Sequence, residues 1–168
     1  MTLRTKLAVS LTAELRNDLD LAAASVPLSL LRRVDLANGT AAGQADRVFH
    51  DRRTLGASAS ESLDLAGGLV DALGAALTFA RVKALIVAAA AANTNAVRVG
   101  GAAANGWTTW AGGADDVVSV RPGGLLVLAA GDATAYPVTA GTGDLLSVAN
   151  GGAGTPVTYD IVIIGASA

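Results

Sequence analysis

Apolar and polar residues alternate along residues 6–16, which is the period of a strand with one buried face. A leucine also recurs at every fourth position from Leu3 to Leu19, so an amphipathic helix remains the alternative. The alternation is the cleaner of the two patterns, and we therefore predict a strand. Its apolar positions are Leu7, Val9, Leu11, Ala13 and Leu15.

From residue 46 onward, glycine, asparagine and proline interrupt the chain at the spacing of short antiparallel strands. Eight short segments with glycine-rich turns predict an all-β fold, an antiparallel β-sandwich of the jelly-roll type. The turn signals lie at residues 56, 67–68, 71–74, 93–95, 100–101, 112–113, 122–124, 141–143 and 150–156. The segments between them are residues 48–55, 60–65, 78–90, 96–99, 117–121, 125–130, 145–149 and 157–164.

Residues 17–45 lack this regular spacing of turn signals. Pro27 interrupts the segment, and Asn38-Gly39 is a turn signal because both residues tolerate a positive φ. We predict arm and loop with short strands here. The domain prediction is therefore an extended N-terminal arm over residues 1–45 and a β-sandwich over residues 46–168.

The alanine-rich run at residues 85–92 has two interpretations, because alanine has the highest helix propensity. The β-branched Ile86 and Val87 favour a strand, which is our prediction. Just before this run, alternation predicts that Phe79, Arg81 and Lys83 face water.

The last segment turns apolar on both faces at residues 161–164. A strand that is apolar on both faces is covered on both sides. We therefore expect it to lie centrally, between two layers.

Composition limits the chemistry. The 168-residue chain contains 37 alanines, 22 leucines and 17 valines but only six aromatic residues, so its core must be aliphatic. It has no cysteine, which excludes disulfides, thiolate metal sites and cysteine nucleophiles.

Charge is divided unevenly along the chain. Residues 1–84 hold 10 basic and 9 acidic side chains, whereas residues 85–168 hold 2 and 5. The weakly charged half is typical of a surface that copies of the same chain cover. Without an uncompensated basic face we expect no nucleic-acid partner. The longest strongly apolar stretch has nine residues where a spanning helix needs about 20, so we expect no membrane contact.

No motif identifies a reaction. His50 is the only histidine, its neighbour Asp51 would point to the opposite face of a strand, and no GxSxG nucleophile elbow is present. Asp115-Asp116 lacks the closing glutamate of a calcium loop and is interpreted as a turn before a strand. The glycine clusters at 141–143 and 151–154 lack the Lys-Ser/Thr of a phosphate loop and are interpreted as hairpin turns. We predict no catalytic residue, no metal and no cofactor.

Five residues are candidates for contact with a partner. Trp107 and Trp110 share one predicted loop, NGWTTW, where they pack across the mouth of the sandwich, contact a partner or form a platform for a sugar ring. Packing is the interpretation we favour. Arg47, Arg52 and Arg53 lie in the charged segment 46–53 and are the remaining candidates.

From about Asp18 to its end, the chain resembles a family of small virion structural proteins of tailed bacteriophages, usually assigned as capsid decoration, cement or minor head proteins. The strings that carry the resemblance are NDLDLAAASVPLSL, ANGTAAGQADRVFHDRRTL, ASASESLDLAGGLVDALGAALTFARVKALIV, NTNAVRVGGAAANGW, VVSVRPGGLLVLAAGDATAYPVTAGTGDLLSVANGGAG and TYDIVIIGASA. The resemblance implies a β-sandwich that forms a homo-oligomer, a dimer or trimer, on a phage particle.

The function expected from this resemblance is a non-enzymatic decoration protein that binds the major capsid protein on the outer surface of the head. It would be made in the host cytoplasm and located on the capsid surface of the virion. Residues 1–45 and the charged segment 46–53 would contact the lattice, and the low-charge sandwich would form the oligomer. One alternative is a tail-fibre or receptor-binding module that contacts host glycans through Trp107 and Trp110. The other is a carbohydrate-binding or glycan-processing domain unrelated to virions.

Overall fold

The protein is all-β, as predicted. The structure is a computed structural model that describes residues 2–168, and this part of the chain contains no helix and therefore none that could span a membrane. The first seven strands are β1 (Thr5–Asp18), β2 (Ala23–Asn38), β3 (Gln44–Ala45), β4 (Arg47–Leu55), β5 (Ser60–Asp64), β6 (Leu69–Val70) and β7 (Ala76–Leu77). The next seven are β8 (Arg81–Ala89), β9 (Val97–Gly100), β10 (Val117–Val120), β11 (Leu125–Ala129), β12 (Tyr136–Pro137), β13 (Leu145–Asn150) and β14 (Val157–Ala166).

Two antiparallel sheets form the body of the molecule. One has the strand order β11-β8-β14-β4, with the short β12 added to β8, and the other has the order β10-β9-β13-β5. Each of the eight segments predicted from the turn spacing overlaps one of these eight strands, with bounds that differ by at most three residues. The sandwich-like, antiparallel architecture is therefore confirmed.

The core lies between the two sheets and is mostly aliphatic, as the composition predicted, although Phe49, Phe79, Trp107 and Tyr159 also belong to it. Full burial of each large aliphatic side chain contributes about 1.5–3 kcal/mol, so this layer is the main source of stability. β14 lies between β8 and β4 in its sheet. Ile161 and Ile163 face the main core and Ile164 packs with Leu36 on the outer side, so the end of this strand is covered on both faces, as predicted. Buried side chains of the two sheets include Leu85, Val87, Ile161 and Ile163 on one side and Val97, Val99, Leu146 and Val148 on the other.

The prediction that Phe79 and Lys83 face water is wrong, since both are buried. Phe79 precedes β8 in an irregular segment, where its N–H donates a hydrogen bond to the Leu65 carbonyl, so strand alternation does not apply to it. For Lys83 the reason is a β-bulge. The pairing of β14 with β8 shifts between Ile164 and Gly165, so Lys83 is an extra residue on β8 that has no partner opposite it. A bulge breaks the two-residue alternation on which the prediction rested.

β1 and β2 form a long antiparallel hairpin, which we call the ribbon. Its first strand confirms the strand predicted over residues 6–16 in place of a helix. The buried face predicted for this strand is wrong above Leu7, because Val9, Leu11 and Leu15 are exposed. Residues 17–45 differ from the prediction of arm and loop with short strands, because 16 of them form one continuous strand, β2. Pro27 is accommodated because a two-stranded ribbon has free outer edges, where a missing N–H breaks no ladder hydrogen bond.

The loops differ from expectation at one place. Residues 151–156 join β13 of one sheet to β14 of the other, so this glycine-rich segment crosses between the sheets and is not a hairpin turn. The turn predicted at Asn38-Gly39 is present at the end of β2, where Gly39 has a φ of 137°. After it, β3 pairs in parallel with the last residues of β2.

Candidate protein-docking surface

The ribbon has one apolar and one polar face. In an antiparallel pair, residues directly opposite each other point to the same side of the sheet. Leu11 is opposite Leu30 and Leu15 is opposite Val26, which places these four side chains on one face. The apolar face of the ribbon consists of Val9, Leu11, Ala13 and Leu15 on β1 and Val26, Leu28, Leu30 and Arg32 on β2.

No part of residues 2–168 covers this apolar face. Every residue from 8 to 33 is exposed. A single two-stranded hairpin is marginally stable in water, and a third layer or strand usually supplies the missing burial. A row of uncovered aliphatic side chains therefore indicates a surface that another molecule covers. The exposed fractions are 47% for Val9, 48% for Leu11, 75% for Leu15, 65% for Val26, 54% for Leu28 and 39% for Leu30.

The root of the ribbon is held by the sandwich through the same face. Leu7 and Val34, one row below Val9, pack with Leu36 against Ala84 and Ile164 on the outer side of the β11-β8-β14-β4 sheet. A backbone hydrogen bond of 2.7 Å from the Gly43 N–H to the Gly131 carbonyl fastens the segment that follows β2. The ribbon is thus fixed at one end and projects over roughly 35 Å, given about 3.3 Å per residue.

The opposite face is polar. The Ser25 hydroxyl donates a hydrogen bond to the Glu14 carboxylate across the two strands, and Arg16 lies 3.6 Å from Asp18. Such exposed pairs contribute little to stability, about 0–1 kcal/mol each. Their charges do keep this face hydrated, so the ribbon is amphipathic.

Charge is also divided along the length of the ribbon. The root half is net positive, and the half that includes the tip is net negative. At the root, Lys6, Arg32 and Arg33 outnumber the single acid Asp35. Toward the tip, Glu14, Asp18 and Asp20 outnumber the single base Arg16.

Trp107 and Trp110 lie together, as their spacing suggested, in the long connection between β9 and β10. Trp107 is 2% exposed, belongs to the main core and donates a hydrogen bond from Nε1 to the Pro137 carbonyl at 2.9 Å. Trp110 is half-buried and donates from its own Nε1 to the Trp107 carbonyl at 2.9 Å. The ring centroids are 6.1 Å apart, and Tyr136 meets Trp107 edge-on. The Trp107 ring therefore presents no face on which a sugar could stack.

Arg53 joins the two sheets at one edge of the sandwich. It forms hydrogen bonds to Glu61 on β5 and to Asp51, at 2.7 Å and 2.8 Å. The Tyr159 hydroxyl donates to the other oxygen of Glu61 at 2.7 Å. Burial, and then this hydrogen bond to Glu61, raise the pKa of Tyr159 above its ordinary value, so the phenol stays protonated. This cluster of side chains is structural, since it closes the edge between β4 and β5.

Arg47 and Arg52 lie elsewhere. Arg52 is on the outer side of β4 and forms a bidentate pair with Asp160, whose pKa it lowers by hydrogen bonding. Arg47 lies near the root of the ribbon, 3.1 Å from Asp46. The three arginines named from the sequence thus do not form a single surface, and each has a carboxylate partner within the chain.

The other residues singled out from the sequence form no chemical cluster. His50 and Asp51 are neighbours on β4 and point to opposite faces, and Asp51 binds Arg53. Asp115-Asp116 lies in the turn before β10. Over residues 2–168, no three histidine or carboxylate side chains come close enough together to hold a metal ion.

A shallow groove of about 400 Å³ beside β4 is lined in part by Asp64 and Asp71. These carboxylates accept hydrogen bonds from backbone N–H groups of their own turns, at Ala66, Leu73 and Ala75. They are occupied in shaping loops and do not converge on a shared point in the groove.

Sequence reasoning missed two features that matter for the surface. The first is β2, the second half of the ribbon. The second is Lys83, which is fully enclosed and donates a hydrogen bond from Nζ to the Asp132 carbonyl. Desolvation by burial, and then the nearby charge of Arg81, lower the pKa of Lys83. The loop that carries Asp132 also holds the root of the ribbon, because the Gly131 carbonyl accepts the hydrogen bond from Gly43.

Comparison with protein-family models, with curated proteins and with solved structures finds no match for this chain. A functional proposal for this chain therefore depends on the arrangement of its own residues.

Proposed function

We propose that this chain is a structural protein of a tailed-bacteriophage virion, a capsid decoration protein that binds the outer surface of the major capsid lattice and stabilises the head. It would act by binding and not by catalysis. The observation that carries the proposal is the ribbon, a projecting amphipathic hairpin on a sandwich with an aliphatic core, in which every residue from 8 to 33 is exposed. A projecting element of this length that is exposed on both faces indicates a surface that other molecules contact.

We propose further that the sandwich is a jelly roll and that residues 1–45 are its docking arm. Numbering the eight strands of the two sheets from 1 to 8 along the chain gives the orders 6-3-8-1 and 5-4-7-2. Strand 1 then pairs with 8, 2 with 7, 3 with 6 and 4 with 5, which is the order of a jelly roll wound from four antiparallel pairs. Jelly rolls occur in viral capsid proteins and in lectins, so the fold supports a virion role without identifying it.

The lattice contact is assigned to the polar face of the ribbon together with the exposed outer side of β4. Both carry charged side chains that are exposed to solvent in the isolated chain, among them Arg16 and Arg52. Charges of both signs at the rim of an interface contribute more to its register and specificity than to its affinity. A decoration protein that must find repeated identical positions on a lattice needs this kind of specificity.

The receptor-binding alternative rested on Trp107 and Trp110 as a platform for glycans. Trp107 is in the core and Trp110 is packed against it, so these rings do not favour that role. No other feature of the described residues takes their place, and we put forward a single function.

The proposal is tested by mixing purified protein with capsids assembled without it. We expect saturable co-sedimentation with a fixed number of copies per capsid and a higher temperature of capsid rupture. A matched control is the Ser147→Lys variant on β13, which adds a charge outside the proposed contact and should bind normally. Protein that leaves the capsids bare and instead binds host cells or isolated glycans would contradict the proposal.

A further inference from the structure

We propose that the apolar face of the ribbon is closed by the same face of a second copy of this chain, with the two ribbons stacked antiparallel about a two-fold axis. This association does not depend on binding to a capsid. It would exist in the purified protein and would leave both polar faces pointing outward, free for the lattice.

The first argument is the extent of the uncovered surface. The positions from Val9 to Leu15 on β1 lie beside those from Val26 to Arg32 on β2, and every large aliphatic side chain on this face is at least 39% exposed. A ribbon about 35 Å long and two strands wide has a flat footprint of roughly 350 Å². Because side chains project from it, two such faces in contact bury on the order of 1,000 Å² in total, the lower limit for a specific protein interface.

The second argument is charge. A two-fold interface requires a patch that is complementary to itself. In an antiparallel stack, the negative tip of each ribbon lies over the positive root of the other. Asp20, in the turn at the tip of one copy, then approaches Arg32, the one charged residue on the apolar face of the second, whereas a parallel stack would bring the two Arg32 side chains together. Asp18 and Arg33 lie on the polar faces and point away from the stack. The ribbon is thus self-complementary in one orientation only.

The third argument is continuity. The apolar face already binds a β-sheet surface at its root, where Leu7 and Val34 pack on the sandwich. Toward the tip, the same face continues with aliphatic side chains, but these are exposed. Arg32 is its only charged member, and it lies at the end of the uncovered rows, where its guanidinium can reach the edge of the stack. A second ribbon supplies a matching aliphatic surface without burying a charge.

Leu28 and Ser29 give a matched pair of variants, since they are adjacent on β2 and point to opposite faces. Light scattering coupled to gel filtration should give a mass of twice 16.5 kDa for the wild-type chain and for Ser29→Glu. Leu28→Glu should give the monomer mass with an unchanged near-ultraviolet circular dichroism signal from the buried Trp107. That signal reports a folded sandwich, so loss of the dimer cannot be mistaken for unfolding.

A wild-type chain that is monomeric at 100 μM, or trimeric, would overturn the proposal. The same holds if both glutamate variants dissociate or neither does, because the interface would then not be the apolar face. A monomer that nevertheless saturates capsids would leave the proposed function standing and reject this inference alone.

The orientation can be measured separately, because the chain has no cysteine and a single Leu21→Cys variant takes up a spin label at the ribbon tip only. Antiparallel stacking over the uncovered length places the two tips roughly 35 Å apart, at 3.3 Å per residue. A parallel stack would place them within about 15 Å, given a sheet spacing near 10 Å. The longer distance is the predicted result, and the shorter one would overturn the antiparallel arrangement.

Discussion

Single residues inside the sandwich show how few polar groups this core contains and how each is satisfied. Asn150 donates to the carbonyls of Gly56 and Thr155, Tyr159 donates to Glu61, and Lys83 donates to the Asp132 carbonyl. No buried side-chain nitrogen or oxygen among residues 2–168 lacks a partner. An unsatisfied buried polar group costs about 1–3 kcal/mol, so these pairings are part of what selects one fold.

Lys83 gives a prediction with a definite sign. The pKa of Lys83 is lowered in the folded state. Between that pKa and the ordinary value of about 10.4, the unfolded chain therefore binds more protons than the folded chain. The free energy of unfolding of the wild type should rise with pH over this range. In Lys83→Met this contribution is absent. Urea unfolding followed by tryptophan fluorescence at pH 7, 8.5 and 10 should show the free energy of unfolding of the wild type increasing relative to the variant. A difference that stays constant or falls would show that Lys83 does not titrate in this way.

Sequence predicted the residues of the surface better than those of the interior. The apolar positions of residues 6–16 and the pairing of Trp107 with Trp110 in one loop followed from local spacing. The enclosure of Lys83 did not, because it depends on a bulge beside the pair Ala84 and Ile164, which are 80 positions apart in the sequence, and no local pattern records such a pairing. The same is true of Arg53, whose partner Glu61 lies on the other sheet.

The ribbon dominates the molecule at the scale of secondary-structure elements. β1 was predicted because its alternation is unbroken. β2 has the same alternation from Val26 to Leu36 except at Arg32, and Pro27 and Leu31 on the polar face obscure it further. The continuous strand forms because β1 provides a partner along its whole length, and pairing of this kind overrides local propensity.

Shortening the ribbon tests whether it is independent of the sandwich. Replacing residues 11–30 by Asn-Gly joins Ser10 to Leu31, which are already paired, through a two-residue turn. The removed residues pack against nothing in the sandwich, so its free energy of unfolding should change by less than about 1 kcal/mol. The shortened chain should be monomeric and should no longer bind capsids. A loss of more than about 3 kcal/mol in urea unfolding would show that the ribbon is part of the fold.

At the scale of the whole molecule, the rhythm of turns predicted the class of fold, and the strand order needed the structure. Glycine-rich turns are local features, so eight strands could be counted from the sequence. The pairing of β4 with β14 joins residues more than 100 positions apart and is decided by packing of the complete core. The 37 alanines, which also suited a helical bundle, occur on strands and turns in the part of the chain that the structure describes.

The assembly proposed for the whole molecule is a pair of sandwiches joined through stacked ribbons and held on a capsid by their polar faces. A three-dimensional image reconstruction of the particle that carries this protein tests the central claim most directly. We predict paired β-sandwich densities at regular lattice positions on the outside of the head, joined by a rod of stacked ribbons that lies on the capsid. Density for the protein on the tail, or none on the particle, would contradict the account.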